Sequence, residues 1–119
     1  MQSNITYRLD ETSNRFPNKE GYIDENQKLT FGEVQTKALN LASILVEKKY
    51  FKMPIAIYME KSVDVIVSFF ASAYSGNFYS PIDVTMPEAR INKIMEILQP
   101  KVIISKRELK DSLVNFAGE

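Results

Sequence analysis

The sequence predicts an α/β fold: a parallel βαβαβ unit with flanking helices and a small N-terminal hairpin. Two observations carry this reading. Ile55 to Met59, Phe78 to Ile82 and Val102 to Ser105 are short apolar runs with the character of buried parallel strands. Between them lie two segments whose apolar residues recur at helical spacing, with short connections, and such an order closes into a right-handed parallel unit.

The elements follow in chain order. Asn4 to Phe16 reads as a helix with Ile5, Leu9 and Phe16 near one face, stopped by Pro17. Tyr22-Ile23 and Lys28-Leu29 flank the polar turn Asp24-Glu25-Asn26-Gln27, which predicts a hairpin. Thr30-Phe31-Gly32-Glu33 is a capping box, in which the hydroxyl accepts from the Glu33 backbone and the carboxylate reaches back. Val34, Ala38, Leu41, Ala42 and Leu45 then give one apolar face to about Lys48. Ser62 stands where it could cap a helix from Val63 to Ser75. That helix is apolar nearly all round, with the narrow polar stripe Asp64, Ser68, Ser72 and Ser75, and is expected to be mostly buried. Gly76 sits at a C-terminal cap. Pro81 marks its strand as an edge or a strand end. Thr85-Met86-Pro87-Glu88 reads as a second capping box, before a helix that buries Ile91, Ile94, Met95 and Leu98. Ser105 to Glu108 could cap a last short helix through Leu109, Leu113 and Phe116.

Composition removes several function classes. The chain has 15 basic and 15 acidic residues, so no electrostatic footprint for nucleic acid or an acidic membrane is expected. Lys48, Lys49 and Lys52, beside Glu47, read as a solvated helix end. Cysteine and histidine are both absent, which excludes disulfides, thiolate catalysis, soft metal sites and imidazole mechanisms. No secretion signal opens the sequence, and Val63 to Tyr74 is too short and interrupted to span a bilayer. Residues 1–119 are expected to form a single unit in the cytoplasm, with no metal site.

A parallel sheet usually binds ligands at the carboxyl ends of its strands. Neither turn there carries a phosphate-binding signature: Met59-Glu60-Lys61-Ser62 and Asp83-Val84-Thr85 contain no glycine. An unrelated flavodoxin-like protein is disfavoured on the same ground. Asp83 reads as a turn-ordering residue rather than a catalytic one, since no base or nucleophile accompanies it. Glu60 and Lys61 read as a solvated pair. Tyr74, Phe78 and Tyr79 read as an aromatic packing cluster.

Two stretches resemble a known family. Leu29-Thr30-Phe31-Gly32-Glu33-Val34 resembles the Leu-Thr-Tyr-x-Glu-Leu signature of amino-acid adenylation domains. Ala71 to Asp83, through Tyr74-Ser75-Gly76 and Ser80-Pro81-Ile82-Asp83, resembles their second signature, Leu-Lys-Ala-Gly-x-Ala-Tyr-x-Pro-Leu-Asp. Met86-Pro87-Glu88-Ala89-Arg90-Ile91 is similar to the Pro-x-Glu-Arg-Ile that follows. The departures are Tyr74-Ser75-Gly76 for Lys-Ala-Gly, and Val84 where proline is common. The chain is thereby identified as resembling the N-terminal part of the AMP-forming adenylating superfamily. That superfamily includes peptide-synthetase adenylation domains, D-alanine–carrier protein ligases and acyl-CoA synthetases, and Asp83 is more like the amino-acid-activating branches.

The resemblance implies a scaffold portion of the N-terminal subdomain of an ATP-dependent ligase. The parent would activate a carboxylate as an acyl adenylate with ATP and Mg, for transfer to a carrier-protein thiol or coenzyme A. The later signatures that carry this chemistry are missing here, so the resemblance assigns no catalytic, cofactor-binding or metal residue, and no cofactor, to this portion. It is expected to be inactive alone, to partner the rest of the parent enzyme, and to self-associate through uncovered surface. A stand-alone protein-interaction module derived from the fold is the alternative.

Overall fold

The computed structural model describes residues 4–106 and Leu109. The elements are α1 (Asn4–Arg15), β1 (Glu20–Ile23), β2 (Lys28–Thr30), α2 (Phe31–Glu47), β3 (Pro54–Tyr58), α3 (Val63–Tyr74), β4 (Phe78–Ile82), α4 (Glu88–Leu98) and β5 (Val102–Ser105). β1 and β2 form an antiparallel hairpin, and β4-β3-β5 form a parallel three-stranded sheet. The expected last helix, with Leu113 and Phe116, lies outside the described residues.

The strand composition explains the sheet order. β3 is buried along Ile55–Tyr58 and takes the centre, with Ile55 and Ile57 fully enclosed. Each such side chain stabilises the fold by roughly 1.5–3 kcal/mol relative to exposure. β4 carries Pro81 and lies at one edge, as its missing N–H requires. Ala56 and Tyr58 join Ile82, Ile91 and Met95 in a core cluster with α4. Ile55 and Val102 join Leu45 of α2 in another.

α2 and α3 pack extensively on each other, and Val34 and Ala38 share a core with Val63, Val67 and Phe70. The serine stripe of α3 is buried, not wet. Each hydroxyl donates one turn back: Ser68 to the Asp64 carbonyl, Ser72 to that of Ser68, and Ser75 to that of Ala71, at 2.8–2.9 Å. Of the face expected for α1, Leu9 is buried, Phe16 is 52% exposed with Lys19 Nζ 5.6 Å from its ring centre, and the side chain of Ile5 lies outside those described; among the described side chains of the helix Thr6 and Ser13 are buried beside Leu9.

Two helix ends share one geometry. At α3, the Asn77 N–H reaches the Ser72 carbonyl and the Gly76 N–H reaches that of Ala73, with Gly76 at φ 77°. At α2, the Tyr50 N–H reaches Leu45 and the Lys49 N–H reaches Val46, with Lys49 at φ 66°. Both are Schellman endings, in which a left-handed residue satisfies the last carbonyls.

Candidate functional site

The carboxyl ends of β3 and β4 open into a cleft of about 340 Å³. Its walls are apolar, including Ile57, Val65, Ile66 and Met86, while Lys61, Ser62 and Asp83 are its polar lining residues. This is where a parallel sheet presents ligands. Among the described residues, no base–nucleophile pair stands in it. Glu60 and Lys61 are both exposed, and Lys61 acts on Asp83 through its charge.

Asp83 orders its own turn. Its Oδ1 accepts from the Thr85 backbone N–H at 2.9 Å and from the Thr85 hydroxyl at 2.8 Å. These bonds, the backbone one foremost, hold its carboxyl below the usual aspartate range. They also overturn the expected second capping box. With Thr85 engaged by Asp83, α4 starts at Glu88 behind Pro87, and no side chain caps it. The first box forms as expected: Glu33 N–H to Thr30 Oγ1 at 3.1 Å, and Thr30 N–H to Glu33 Oε1 at 2.9 Å.

The turn after β3 is capped from elsewhere. Ser62 occupies the cap position of α3 but makes no side-chain cap bond. Instead the Val63 N–H donates to Asp24 Oδ2, from the hairpin turn, at 2.8 Å. Asp24 Oδ1 accepts from the N–H groups of Asn26 and Gln27 at 2.7 and 2.8 Å. The Val63 bond is the largest cause of the lowered Asp24 pKa. Gln27 Nε2 then donates to Asp64 Oδ1 at 3.0 Å, and Lys106 Nζ lies 3.2 Å from Asp64 Oδ2. One polar junction thus ties the hairpin, α3 and the end of β5.

The aromatic cluster expected from Tyr74, Phe78 and Tyr79 disperses. Tyr79 stacks edge-on against Phe69 with ring centres 4.3 Å apart, and Phe78 is 64% exposed. The Tyr74 hydroxyl donates to Asp10 of α1, which also accepts from Gln35 Nε2 at 2.7 Å. Burial, then the Asp10 bond, pushes the Tyr74 phenol above its ordinary value. Asp10 and Lys106 carried no signal in the sequence, and Asp24 and Gln27 were legible only as part of the hairpin turn, because the bonds to Tyr74, Gln35, Val63 and Asp64 join partners remote along the chain. Lys48, Lys49 and Lys52 are exposed at the end of α2, as a solvated helix end requires. Among the described residues no helix is long and apolar enough to cross a membrane.

Comparison with known proteins places this architecture. The profile of the family described as AMP-binding enzyme matches residues 9–118. Gramicidin S synthase 1 of Brevibacillus brevis is 34% identical over 109 residues, 91% of this chain and 10% of that protein. D-alanine--D-alanyl carrier protein ligase of Listeria monocytogenes is 29% identical over 95% of this chain and 22% of that protein. The chain therefore spans only a small part of the curated relatives it matches. The N-terminal subdomain of NpsA from Klebsiella oxytoca superposes with TM-score 0.77 at 25% identity, over 87% of this chain and 27% of that one. The nonribosomal peptide synthetase FmoA3 shares the fold with TM-score 0.85, over 96% of this chain and 13% of that one. With its two signature stretches now placed on the cap of α2 and on the end of α3 with β4, the chain belongs to the AMP-binding enzyme family.

Proposed function

We propose that residues 1–119 are a scaffold portion of the N-terminal domain of an AMP-forming ligase. That ligase activates a carboxylate, an amino acid by its relatives, as an acyl adenylate, and passes it to the thiol of a carrier protein or coenzyme A. The observation that carries the reading is the family match along residues 9–118, joined to relatives named as a gramicidin S synthase and a D-alanyl carrier protein ligase. Its setting would be the cytoplasm.

ATP and Mg belong to this chemistry, but the strand-to-helix turns described here do not fit a nucleotide. The N-terminus of α3 is where an anion would sit, and its Val63 N–H is already held by Asp24. α4 opens with Pro87 and Glu88, the first lacking an N–H and the second repelling phosphate. No step is therefore assigned to residues of this portion. Its role is to hold the sheet and its cleft in place.

The test has two arms. Pyrophosphate exchange with ATP and a mixture of amino acids is expected to be absent for the 119-residue chain, and exchange above background would overturn its inactivity. The reading frame beyond the Glu119 codon is expected to run into a Ser/Thr/Gly-rich loop ending in lysine. A stop codon there would favour the stand-alone interaction module instead.

A further inference from the structure

The hairpin has a packed base and a polar tip. Tyr22 and Leu29 pack with Val34, Val67 and Phe70, while Ile23 and Lys28, nearer the turn, are exposed. β1 and β2 hold four and three residues, and so short a two-stranded ribbon is not stable by its own ladder. The tip is held on α3 by the side chains of Asp24 and Gln27, half-buried at the surface, and their release leaves the core beneath intact.

Those bonds gather two carboxylates at the first turn of α3. Asp24 accepts from the N–H groups of Asn26, Gln27 and Val63. Gln27 donates to Asp24 through its backbone and to Asp64 through its side chain. A helix N-terminus favours both charges, but they repel each other. Lys106, one residue past β5, serves both. Its Nζ lies 3.2 Å from Asp64 Oδ2. The Val63 bond does most to hold the Asp24 carboxyl low, and the Lys106 charge adds to it. The residue before Lys106 is itself fixed, since Ser105 Oγ donates to the Tyr58 carbonyl of the central strand at 2.6 Å.

We propose that Lys106 and the Asp24–Gln27 tip form an interlock, in which the lysine at the end of β5 closes the hairpin latch on α3 and its withdrawal frees the tip. The coupling runs both ways, as linkage requires: lifting the tip loosens the hold of Asp64 on Lys106. Ser62 and Val65, which flank Val63 and Asp64, line the cleft, so the interlock also fixes that cleft wall. Displacement of the chain at the end of β5 is thereby relayed to the hairpin and to the cleft. The inference rests on this polar junction alone and stands or falls independently of the ligase reading.

Amide hydrogen exchange on the 119-residue chain tests it. Lys106→Met keeps an unbranched side chain and removes its charge. It is expected to speed exchange at Asn26, Gln27 and Val63 by about two- to five-fold, the range of an exposed ion pair. The Lys52 amide, bonded to the Gly76 carbonyl beyond the other end of α3, should not change. Lys101→Met removes the same charge from the far end of β5, more than a screening length away, and should leave the tip amides as they are. Raising salt from about 0.01 M to about 1 M shortens the screening length from about 30 Å to about 3 Å, and should speed the tip amides relative to Lys52. In Gln27→Leu combined with Lys106→Met, the two effects on Val63 should fall short of their product, because both act on one junction. Unchanged exchange at Val63 in Lys106→Met would overturn the interlock. So would an equal rise in Lys101→Met, or effects that simply multiply in the double variant. Should Lys106→Met fail to fold, the salt series on the unmodified chain decides by itself.

Discussion

The two strand-to-helix turns at the carboxyl edge of the sheet do the same job by opposite means. After β4, Asp83 and Thr85, two residues apart, fold the turn on themselves. After β3, the residues of the turn supply no cap, and α3 is capped by Asp24, 39 residues away. The local device needs only its own segment to be in place. The remote one forms only when the hairpin has docked, so it couples the cleft wall on α3 to the placement of β1 and β2. The chain thus has one turn that is self-sufficient and one that reports on tertiary assembly.

Removing the remote cap should have the largest effect. Asp24→Ala strips the acceptor from Val63, Asn26 and Gln27 together, and a lowering of Tm by about 5 °C is expected. Calorimetry measures the loss. Exchange protection at Val63 should fall with it, and unchanged protection there would break the idea of coupling. Acid should imitate the mutation. The folded Asp24 carboxyl is held low, so its contribution is complete above the unfolded aspartate value of about 3.9 and is lost as pH falls through the folded value. Asp24→Asn should flatten the Tm–pH curve below about pH 4, where the unmodified chain still declines.

Asp83→Ala should cost less, a Tm lowering of about 2 °C, because its carboxylate serves one neighbour in an exposed turn. Protection at Val63 should not change. If it falls as far as with Asp24→Ala, the two turns are not separate devices. The same contrast explains what was legible in the sequence. Thr30 with Glu33, Asp83 in its turn, Gly76 after α3 and Pro81 on an edge strand all act within a few residues, and each is visible as a local pattern. Ser62 has the right residue type in the right place, yet Asp24 takes the bond. Thr85 was expected to cap α4, and a competitor two residues earlier holds it. Tyr74 reads as one of three aromatics, and its hydroxyl is spoken for by α1. The candidate cleft was foreseeable only as a location. Its walls come from two strands and the segments after them, and apolar residues on such elements look the same whether they line a cleft or fill a core.

The one effect expected to be of opposite sign concerns the other paired feature, the two Schellman endings. Gly76 takes φ 77° without a Cβ, and a Cβ built there would meet the Phe51 ring at 2.7 Å. Lys49 takes φ 66° with one. A left-handed non-glycine residue costs roughly 1–2 kcal/mol, and glycine returns about 0.4–1 kcal/mol of that through the greater freedom of its unfolded chain. Lys49→Gly should therefore stabilise the chain by about 0.5–1 kcal/mol, read as a higher urea midpoint at unchanged slope. Lys49 is exposed at the helix end, so little packing is lost with its side chain. A lower midpoint would mean that the lysine is held by contacts worth more than its backbone strain, and that the resemblance of the two endings stops at their hydrogen bonds.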